Sequence, residues 1–258
     1  MVSRCGFRVR VEMDDDLGTL AELGFILLRG VHAPATLDRM VSHFDRMLEA
    51  DGASAGRRAS RGHVYAARNL IDDAAEVRDV WRCQRLVALL HAVLGDRCGM
   101  VRALFFDKPP GRTWTLGWHR DAAIAVAEHR SPAGTGFSRP TCKAGVPHVI
   151  APDQVLERML TLRIHLDAMT SSNGALKVRP GSHRNDGSVS LLNDLAEPDD
   201  EVMIDCDRGD ALAMRPRLLH ASGSSHPDNQ SHRRVLHLEF AADRDLPHGY
   251  RWRWFVPV

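Results

Sequence analysis

The stretch that decides the fold is residues 173–184, which read NGALKVRPGSHR. The Asn-Gly pair at 173–174 is a strong turn signal, and the Pro-Gly pair at 180–181 ends the short segment between them. Immediately upstream, residues 160–167 alternate apolar and polar side chains, as a strand with two different faces does. A short strand enclosed by turns and preceded by another strand predicts a β-sandwich or barrel.

The spacing of apolar residues and turn residues predicts further strands and helices. Turn residues flank additional short strands, which are predicted at residues 25–28, 101–106, 210–214 and 235–240. Apolar side chains recur at helical spacing over residues 36–48 and again over 74–94. Residues 51–62 are rich in Gly, Ala, Ser and Arg, so they predict a loop.

These elements predict a mainly β protein with flanking helices, in a single domain over residues 1–258. Residues 1–100 are expected to form mostly helical support, and residues 101–258 to form the β core. A connection over residues 122–151 carries several prolines and glycines and is long for a compact domain. Such loops are usually binding loops or lids, so we expect a functional loop there.

Composition excludes several classes of protein. The chain has 34 basic and 33 acidic side chains, and a net charge this small attracts neither nucleic acid nor an anionic membrane. Its five cysteines include no CxxC pair, which argues against a disulfide framework and a structural zinc site. No signal peptide or membrane-spanning segment is predicted. We therefore expect a cytoplasmic protein without a nucleic-acid or membrane partner, and its oligomeric state stays open.

Fourteen histidines invite a search for metal-ligand spacing. A His-x-Asp/Glu pair on a strand puts two ligands on one face, and a third ligand would complete a two-His-one-carboxylate site for Fe(II). Chance predicts about two such pairs at this composition. The chain has five of them: His43/Asp45, His119/Asp121, His165/Asp167, His226/Asp228 and His237/Glu239.

Context favours one of these pairs. His119/Asp121 lies where a strand opens into the long loop, which is where sites tend to be. His43/Asp45 lies in the predicted helix and His226/Asp228 in a polar loop, so both pairs are interpreted as surface residues. The two pairs on predicted strands remain possible ligands, although each also fits the polar face of a half-buried strand.

From residue 105 onward the chain resembles the phytanoyl-CoA dioxygenase family of Fe(II)- and 2-oxoglutarate-dependent oxygenases. The resemblance rests on short motifs in a fixed order. They are FDKP at 106–109, GWHRD at 117–121, KAGVPHV at 143–149, LRIHLD at 162–167, NGALKVRPGSHR at 173–184, HASG at 220–223 and RRVLHLEF at 233–240.

This resemblance implies a double-stranded β-helix, a jelly-roll or cupin-like core. It implies that His119, Asp121 and His220 bind the iron and are catalytic. Arg233 would bind the distal carboxylate of 2-oxoglutarate, with the adjacent Arg234 as the alternative. Lys108 matches a position near the co-substrate, although it also reads as a surface lysine at a strand end.

The family resemblance further implies O2 as the second co-substrate, and hydroxylation of an unactivated C–H bond of a small-molecule substrate with release of succinate and CO2. Trp118, Lys143 and His148 are candidate substrate-binding residues, and each also has a purely structural reading. Two alternatives remain: a cupin-like metal-dependent hydrolase or isomerase, and a non-catalytic small-molecule-binding β-sandwich. Arg233 argues against the first, which has no need of a buried guanidinium opposite the metal, and the joint presence of His119, Asp121, His220 and Arg233 argues against the second. Desaturation or cyclisation in place of hydroxylation, and the identity of the substrate, stay open.

Overall fold

The computed structural model of the protein describes residues 13–50, 57–60, 63–73, 75–111, 113–130, 135–184 and 200–258. Most of the helical residues lie before residue 95, and one helix begins at Pro34, whose missing N–H costs nothing at a first helical position. The α-helices are α1 (Met13–Leu23), α2 (Pro34–Ala50), α3 (Leu70–Asp73), α4 (Gln84–Leu94) and α5 (Asp153–Leu156). Among the described residues, no helix has both the length and the apolar content that crossing a bilayer requires.

Within the described residues, fifteen strands form three antiparallel sheets. The early strands are β1 (Phe25–Leu28), β2 (Arg57–Ser60), β3 (His63–Ala67), β4 (Gly99–Phe106) and β5 (Leu116–His119). The middle strands are β6 (Ala123–Ala125), β7 (Ser138–Lys143), β8 (Val146–Ile150), β9 (Met159–His165) and β10 (Leu176–Val178). The late strands are β11 (Val202–Ile204), β12 (Ala211–Met214), β13 (His220–Ser222), β14 (Val235–Ala241) and β15 (Val256–Pro257).

Two of the sheets pack face to face. The major sheet has the order β1-β12-β9-β14-β4-β3-β2, with β15 added to β4, and the minor sheet has the order β11-β10-β13-β5. Leu176 and Ile204 of the minor sheet share one apolar cluster with Leu212 and Met214 of the major sheet. The prediction of a mainly β fold with flanking helices is therefore confirmed.

The outer face of the major sheet packs against the helices. Leu162 and Ile164 of β9 belong to the same apolar cluster as Phe44 of α2 and Leu90 of α4. The alternate residues of β9 point into the space between the sheets, yet all seven residues of the strand are buried. The polar face of this strand is thus enclosed, and the half-buried reading of it is wrong.

Residues 173–184 contain the minor-sheet strand β10 and the turns on either side of it. Gly174 has φ = 75°, a left-handed conformation that favours glycine. A Cβ atom there would come within 2.8 Å of the Lys108 Nζ and still closer to a backbone carbonyl. The turn predicted at Asn173-Gly174 thus brings the backbone close to a buried lysine.

Three other sequence predictions differ from the structure. The N-terminal region is helical with the strand β1 as expected, but it also supplies β2 and β3, at the opposite edge of the major sheet from β1. The predicted loop over 51–62 contains β2 in its described part. The helical pattern over 74–94 divides into a short 3-10 turn and α4.

The segment 122–151 is not the long irregular loop that its prolines and glycines predicted. It forms a third sheet of order β6-β8-β7. Ala144 and Gly145 join β7 to β8 in a two-residue turn with positive φ at both positions, the geometry of a tight hairpin. The side chain of Asn69 donates a hydrogen bond to the carbonyl of Ala144 and so ties this hairpin to the strand β3 region.

Candidate metal centre

Strand pairing brings two distant histidines together. His220 on β13 lies directly opposite His119 on β5, and their ring centroids are 4.1 Å apart. Asp121 follows the end of β5, with one carboxylate oxygen 3.8 Å from the His119 Nε2 and the other 3.5 Å from the His220 Nε2. One ligand atom from each of the three residues falls within 4.8 Å of the others.

Hydrogen bonds direct both imidazoles toward this point. The Nδ1 of His119 is 2.8 Å from the Gly117 carbonyl, and the Nδ1 of His220 is 2.9 Å from the Leu218 carbonyl. A carbonyl only accepts, so each Nδ1 donates and each Nε2 keeps its lone pair for an ion. Two imidazole nitrogens and one carboxylate suit Fe(II) and leave coordination positions open.

The electrostatics support the same protonation states. Burial lowers the pKa of His220 to about 4, so its ring is neutral at physiological pH. Burial alone would raise the pKa of the Asp121 carboxyl, but His220, His237 and His119 together hold it below its usual range. His220 and Asp121 are therefore in the forms that bind a metal.

These residues line a cavity of about 510 Å³ between the two sheets. Arg233 reaches it from the start of β14, and its Nη1 donates to the Gly174 carbonyl at 2.7 Å. Lys108 lies opposite Arg233 on the neighbouring strand, and the two backbones exchange hydrogen bonds. The Lys108 Nζ donates to the Ser222 hydroxyl at 3.0 Å, and the Trp114 ring contacts both cations.

Arg233, which lines the cavity, and the neighbouring Lys108 are two buried cations. Lys108 is fully buried, so the alternative of a surface lysine is wrong. In the described part of the chain, no carboxylate lies within ion-pair distance of either cation. Two buried cations without a carboxylate fit one end of a dicarboxylate such as 2-oxoglutarate, since buried charges in proteins are normally paired.

The structure separates the two adjacent arginines. Arg234 points away from the cavity and makes two hydrogen bonds of 2.8 and 3.0 Å to the Asp167 carboxylate. It also lies 3.3 Å from Asp45 on α2. Arg233 alone of the two lines the cavity, which favours the first of the two assignments.

Of the three candidate substrate residues, only Lys143 lines the cavity. Trp118 neighbours His119 on β5 and so points to the opposite face, where the Arg179 guanidinium lies 4.7 Å from its ring. His148 is buried in the small sheet with its Nδ1 2.9 Å from the Val146 carbonyl. The structure therefore does not bring Trp118 or His148 to the cavity.

A second polar layer beneath the candidate ligands was not predicted from the sequence. It consists of two pairs of cross-strand neighbours on the inner face of the major sheet, Arg163 with His237 and Arg102 with Glu239. The Arg102 Nη1 is 2.9 Å from the Glu239 Oε1, and both side chains are buried. The sequence signal for this layer was the His237/Glu239 pair, but periodicity alone does not show that the face of β14 carrying these residues is enclosed.

Replacing Arg102 with methionine is expected to destabilise the fold by about 3–5 kcal/mol, because Glu239 would keep a buried charge without its guanidinium. Urea unfolding of the apo-protein measures this loss. Arg97→Met is the matched control, since Arg97 pairs with Asp243 at the surface and such pairs contribute about 1 kcal/mol or less. Equal losses in the two variants would contradict the assignment of a buried pair.

Comparison with known proteins agrees with this geometry. The family model described as phytanoyl-CoA dioxygenase (PhyH) matches residues 20–235. The chain belongs to the phytanoyl-CoA dioxygenase family. The chain is similar in sequence to the iron/alpha-ketoglutarate-dependent dioxygenase ausO of Aspergillus calidoustus, with 31% identity over 150 residues. That match covers 58% of this chain and 43% of ausO, so it spans under half of the relative's length.

Solved structures share the fold of this phytanoyl-CoA dioxygenase family member. AviO1 from Streptomyces viridochromogenes aligns over 90% of this chain and 96% of its own, with a TM-score of 0.64 and 23% identity. EctD from S. alaskensis, in a structure with bound Fe, aligns over 93% of this chain and 79% of its own, with a TM-score of 0.67 and 16% identity. The predicted double-stranded β-helix is thereby confirmed.

Proposed function

We propose that this chain is an Fe(II)- and 2-oxoglutarate-dependent dioxygenase that hydroxylates an unactivated C–H bond of a small-molecule metabolite. One observation carries the proposal: the His119, Asp121 and His220 ligand atoms open into the same cavity as the buried cation Arg233, and the buried Lys108 lies beside Arg233. We also propose that residues 1–258 act as one domain, because β1, β2 and β3 belong to the same sheet as the later strands.

In this proposal His119, Asp121 and His220 hold the metal. When bound, Fe(II) together with 2-oxoglutarate and O2 supplies the oxidising chemistry, which yields succinate, CO2 and a hydroxylated product. The chain's own contribution is to bind and orient. The two Nδ1–H groups anchor the imidazoles on backbone carbonyls, and this fixes the direction of each Nε2.

Arg233 and Lys108 are the proposed binding residues for the distal carboxylate of 2-oxoglutarate. The Gly174 carbonyl orients the Arg233 guanidinium, and the Ser222 hydroxyl orients the Lys108 ammonium. Trp114 lies over both cations and excludes water from this end of the cavity. A carboxylate that replaces the lost hydration of two buried cations binds tightly, and this favours a dicarboxylate over a monocarboxylate co-substrate.

The charge of the cavity favours an anionic substrate. Six cationic side chains line the cavity, against two acidic ones, Asp121 and Glu239. Ferrous iron and 2-oxoglutarate carry equal and opposite charges, so adding both leaves the excess of positive charge in the cavity unchanged. Lys143 lies beside the β7–β8 turn that Asn69 ties down. We propose that Lys143 contacts a carboxylate or phosphate of the substrate, which complements the positive potential.

The two alternative functions lack a comparable observation. A metal-dependent hydrolase or isomerase would use the three ligands but has no use for the adjacent buried cations Arg233 and Lys108. A binding protein has no need to keep two imidazole nitrogens directed at one carboxylate. Both readings are therefore less well supported than the oxygenase.

Anaerobic addition of Fe(II) and then 2-oxoglutarate tests the proposal. A visible charge-transfer band is expected only when both are present. Succinate formation in air should then increase with carboxylate- or phosphate-bearing compounds more than with neutral compounds of the same carbon skeleton. Folded, iron-loaded protein without the band would contradict the oxygenase function. A band with equal stimulation by neutral compounds would contradict only the anionic substrate.

Co-substrate binding is expected to weaken as the pH rises. Burial, with the nearby Arg233 and Arg163, lowers the pKa of Lys108 to about 7. A bound carboxylate favours the protonated amine, so affinity is greatest below pH 7 and declines as the pH rises through that value. Anaerobic calorimetry with Fe(II) should give a dissociation constant roughly tenfold higher at pH 8.5 than at pH 6.5.

The calorimetric experiment has an internal check. Binding at pH 8.5 should take up protons, which appear as a dependence of the measured heat on the ionisation enthalpy of the buffer. Lys108→Arg retains the positive charge at both pH values, so its dissociation constant should change little between them. A wild-type constant that is the same at both pH values, without proton uptake, would exclude this role for Lys108.

A further inference from the structure

One oxygen of the candidate metal ligand Asp121 has no hydrogen bond. Its Oδ2 is buried, and no donor reaches it within hydrogen-bond distance. Two ring nitrogens are nearest, the His220 Nε2 at 3.5 Å and the His237 Nε2 at 3.7 Å. The first of these keeps its lone pair for an ion and cannot donate. Only His237 is left to satisfy this oxygen among those neighbours.

The proton of His237 is directed by a neighbouring guanidinium. His237 on β14 lies directly opposite Arg163 on β9, and the Arg163 Nη1 is 3.2 Å from the His237 Nδ1. A guanidinium only donates, so the Nδ1 must accept. The proton of the neutral ring is therefore on Nε2, the nitrogen that faces Asp121.

Two carboxylates compete for that proton, and one of them is already satisfied. The His237 Nε2 is 3.3 Å from the Glu239 Oε1, but this oxygen accepts the Arg102 Nη1 at 2.9 Å. The Asp121 Oδ2 has no such donor. An unsatisfied buried acceptor costs more than one with a single hydrogen bond, so Asp121 has the greater need for the His237 proton.

Arg163 has no other evident ionic partner. Its side chain is almost fully buried in the cavity wall, and within the described residues no carboxylate lies at ion-pair distance from it. A buried guanidinium is costly, so a specific use for it is expected. Its contact with the His237 Nδ1 provides that use, because it selects the tautomer that presents a donor to Asp121.

We propose that His237, with its tautomer set by Arg163, is a positioning residue that donates its Nε2–H to the Asp121 oxygen not bound to the metal. The proposal rests on the proposed function, in that Asp121 is an iron ligand. Donors that orient a ligating carboxylate are expected to raise metal affinity without touching the metal. His237 is thus assigned to the metal centre although it is not one of the three ligands.

The test measures Fe(II) affinity of the apo-protein by anaerobic titration against a competing chelator. His237→Leu removes the donor and is expected to weaken Fe(II) binding roughly 10- to 100-fold. His237→Gln retains an N–H near the position of Nε2 and should restore most of that loss. If His237→Leu binds Fe(II) as tightly as the wild type, or if the two variants lose affinity equally, the proposal is wrong.

A matched control separates positioning from stability. Thr161 lies on the same inner face of β9 as Arg163, is fully buried, and has a hydroxyl without a hydrogen-bond partner. Thr161→Val changes this face without removing a donor to Asp121, so its Fe(II) affinity should equal that of the wild type. A loss there as large as in His237→Leu would make the effect one of packing and overturn the proposal. Absence of Fe(II) binding in the wild type would instead refute the proposed function.

Discussion

Asp121→Asn is expected to abolish tight Fe(II) binding and to reduce 2-oxoglutarate-dependent succinate formation by at least about 1000-fold. The amide keeps the shape of the side chain but removes the negative charge that lies between the His119 and His220 Nε2 atoms. Changes that only affect the orientation of a ligand typically cost 10- to 100-fold in metal affinity, so loss of a ligand should cost more. Anaerobic Fe(II) titration and succinate assay measure the two effects.

The surface pair His226/Asp228 is a matched control for this variant. It has the same His-x-Asp spacing, and its ion-pair distance of 3.6 Å is similar, but both side chains are exposed. Asp228→Asn should therefore leave Fe(II) affinity and activity unchanged. Residual activity above a tenth of the wild-type value in Asp121→Asn would show that the carboxylate is not a metal ligand.

Arg233→Leu is expected to weaken 2-oxoglutarate binding by about 100-fold or more. Truncating one partner of a buried, hydrogen-bonded charge pair costs about 2–5 kcal/mol, and each 1.4 kcal/mol is about tenfold in affinity. Pyruvate has the same 2-oxo acid group but lacks the distal carboxylate, so its weaker binding should be almost unaffected. The ratio of the two dissociation constants, from anaerobic titrations of the Fe(II) protein, isolates the contribution of Arg233.

Arg234→Gln tests the alternative assignment in the same assay. The Arg234 guanidinium is committed to Asp167 and Asp45, which are outside the cavity. This variant should lose some stability, because the partly buried Asp167 carboxylate would lose its bidentate partner, while 2-oxoglutarate affinity stays within about threefold of the wild type. A larger loss of affinity in Arg234→Gln than in Arg233→Leu would reverse the assignment.

Local patterns predicted the strands well where periodicity was strong. Residues 160–167 alternate clearly, and β9 occupies Met159–His165. Segment 122–151 was predicted wrongly, because its prolines and glycines suggested a loop while the pairing of β6, β7 and β8 is decided by neighbours in space. The turn at Ala144–Gly145 is tight although its first residue is alanine, and the turn rules give alanine little weight there.

The structure brings some of the predicted site residues to the cavity and leaves others outside it. The family resemblance identified the three candidate ligands and Arg233 by their motifs, and the structure places all four in one cavity. The candidates Trp118 and His148 came from proximity in sequence to the metal pair and to the long segment. Adjacent residues of a strand face opposite ways, and the Trp118 side chain accordingly lies away from the His119 side chain.

By itself the sequence determined the mainly β class, the alternation of each strand and the set of residues able to bind a metal. Residue spacing alone left five His-x-acid pairs and two adjacent arginines open, and context and the family resemblance then favoured His119/Asp121 and Arg233. The tertiary structure decided which pair meets a third ligand, which arginine enters the cavity, and that Arg163 and His237 lie beneath Asp121. The reason is physical: strand periodicity specifies which side chains share a face, whereas the register between distant strands specifies which of them meet.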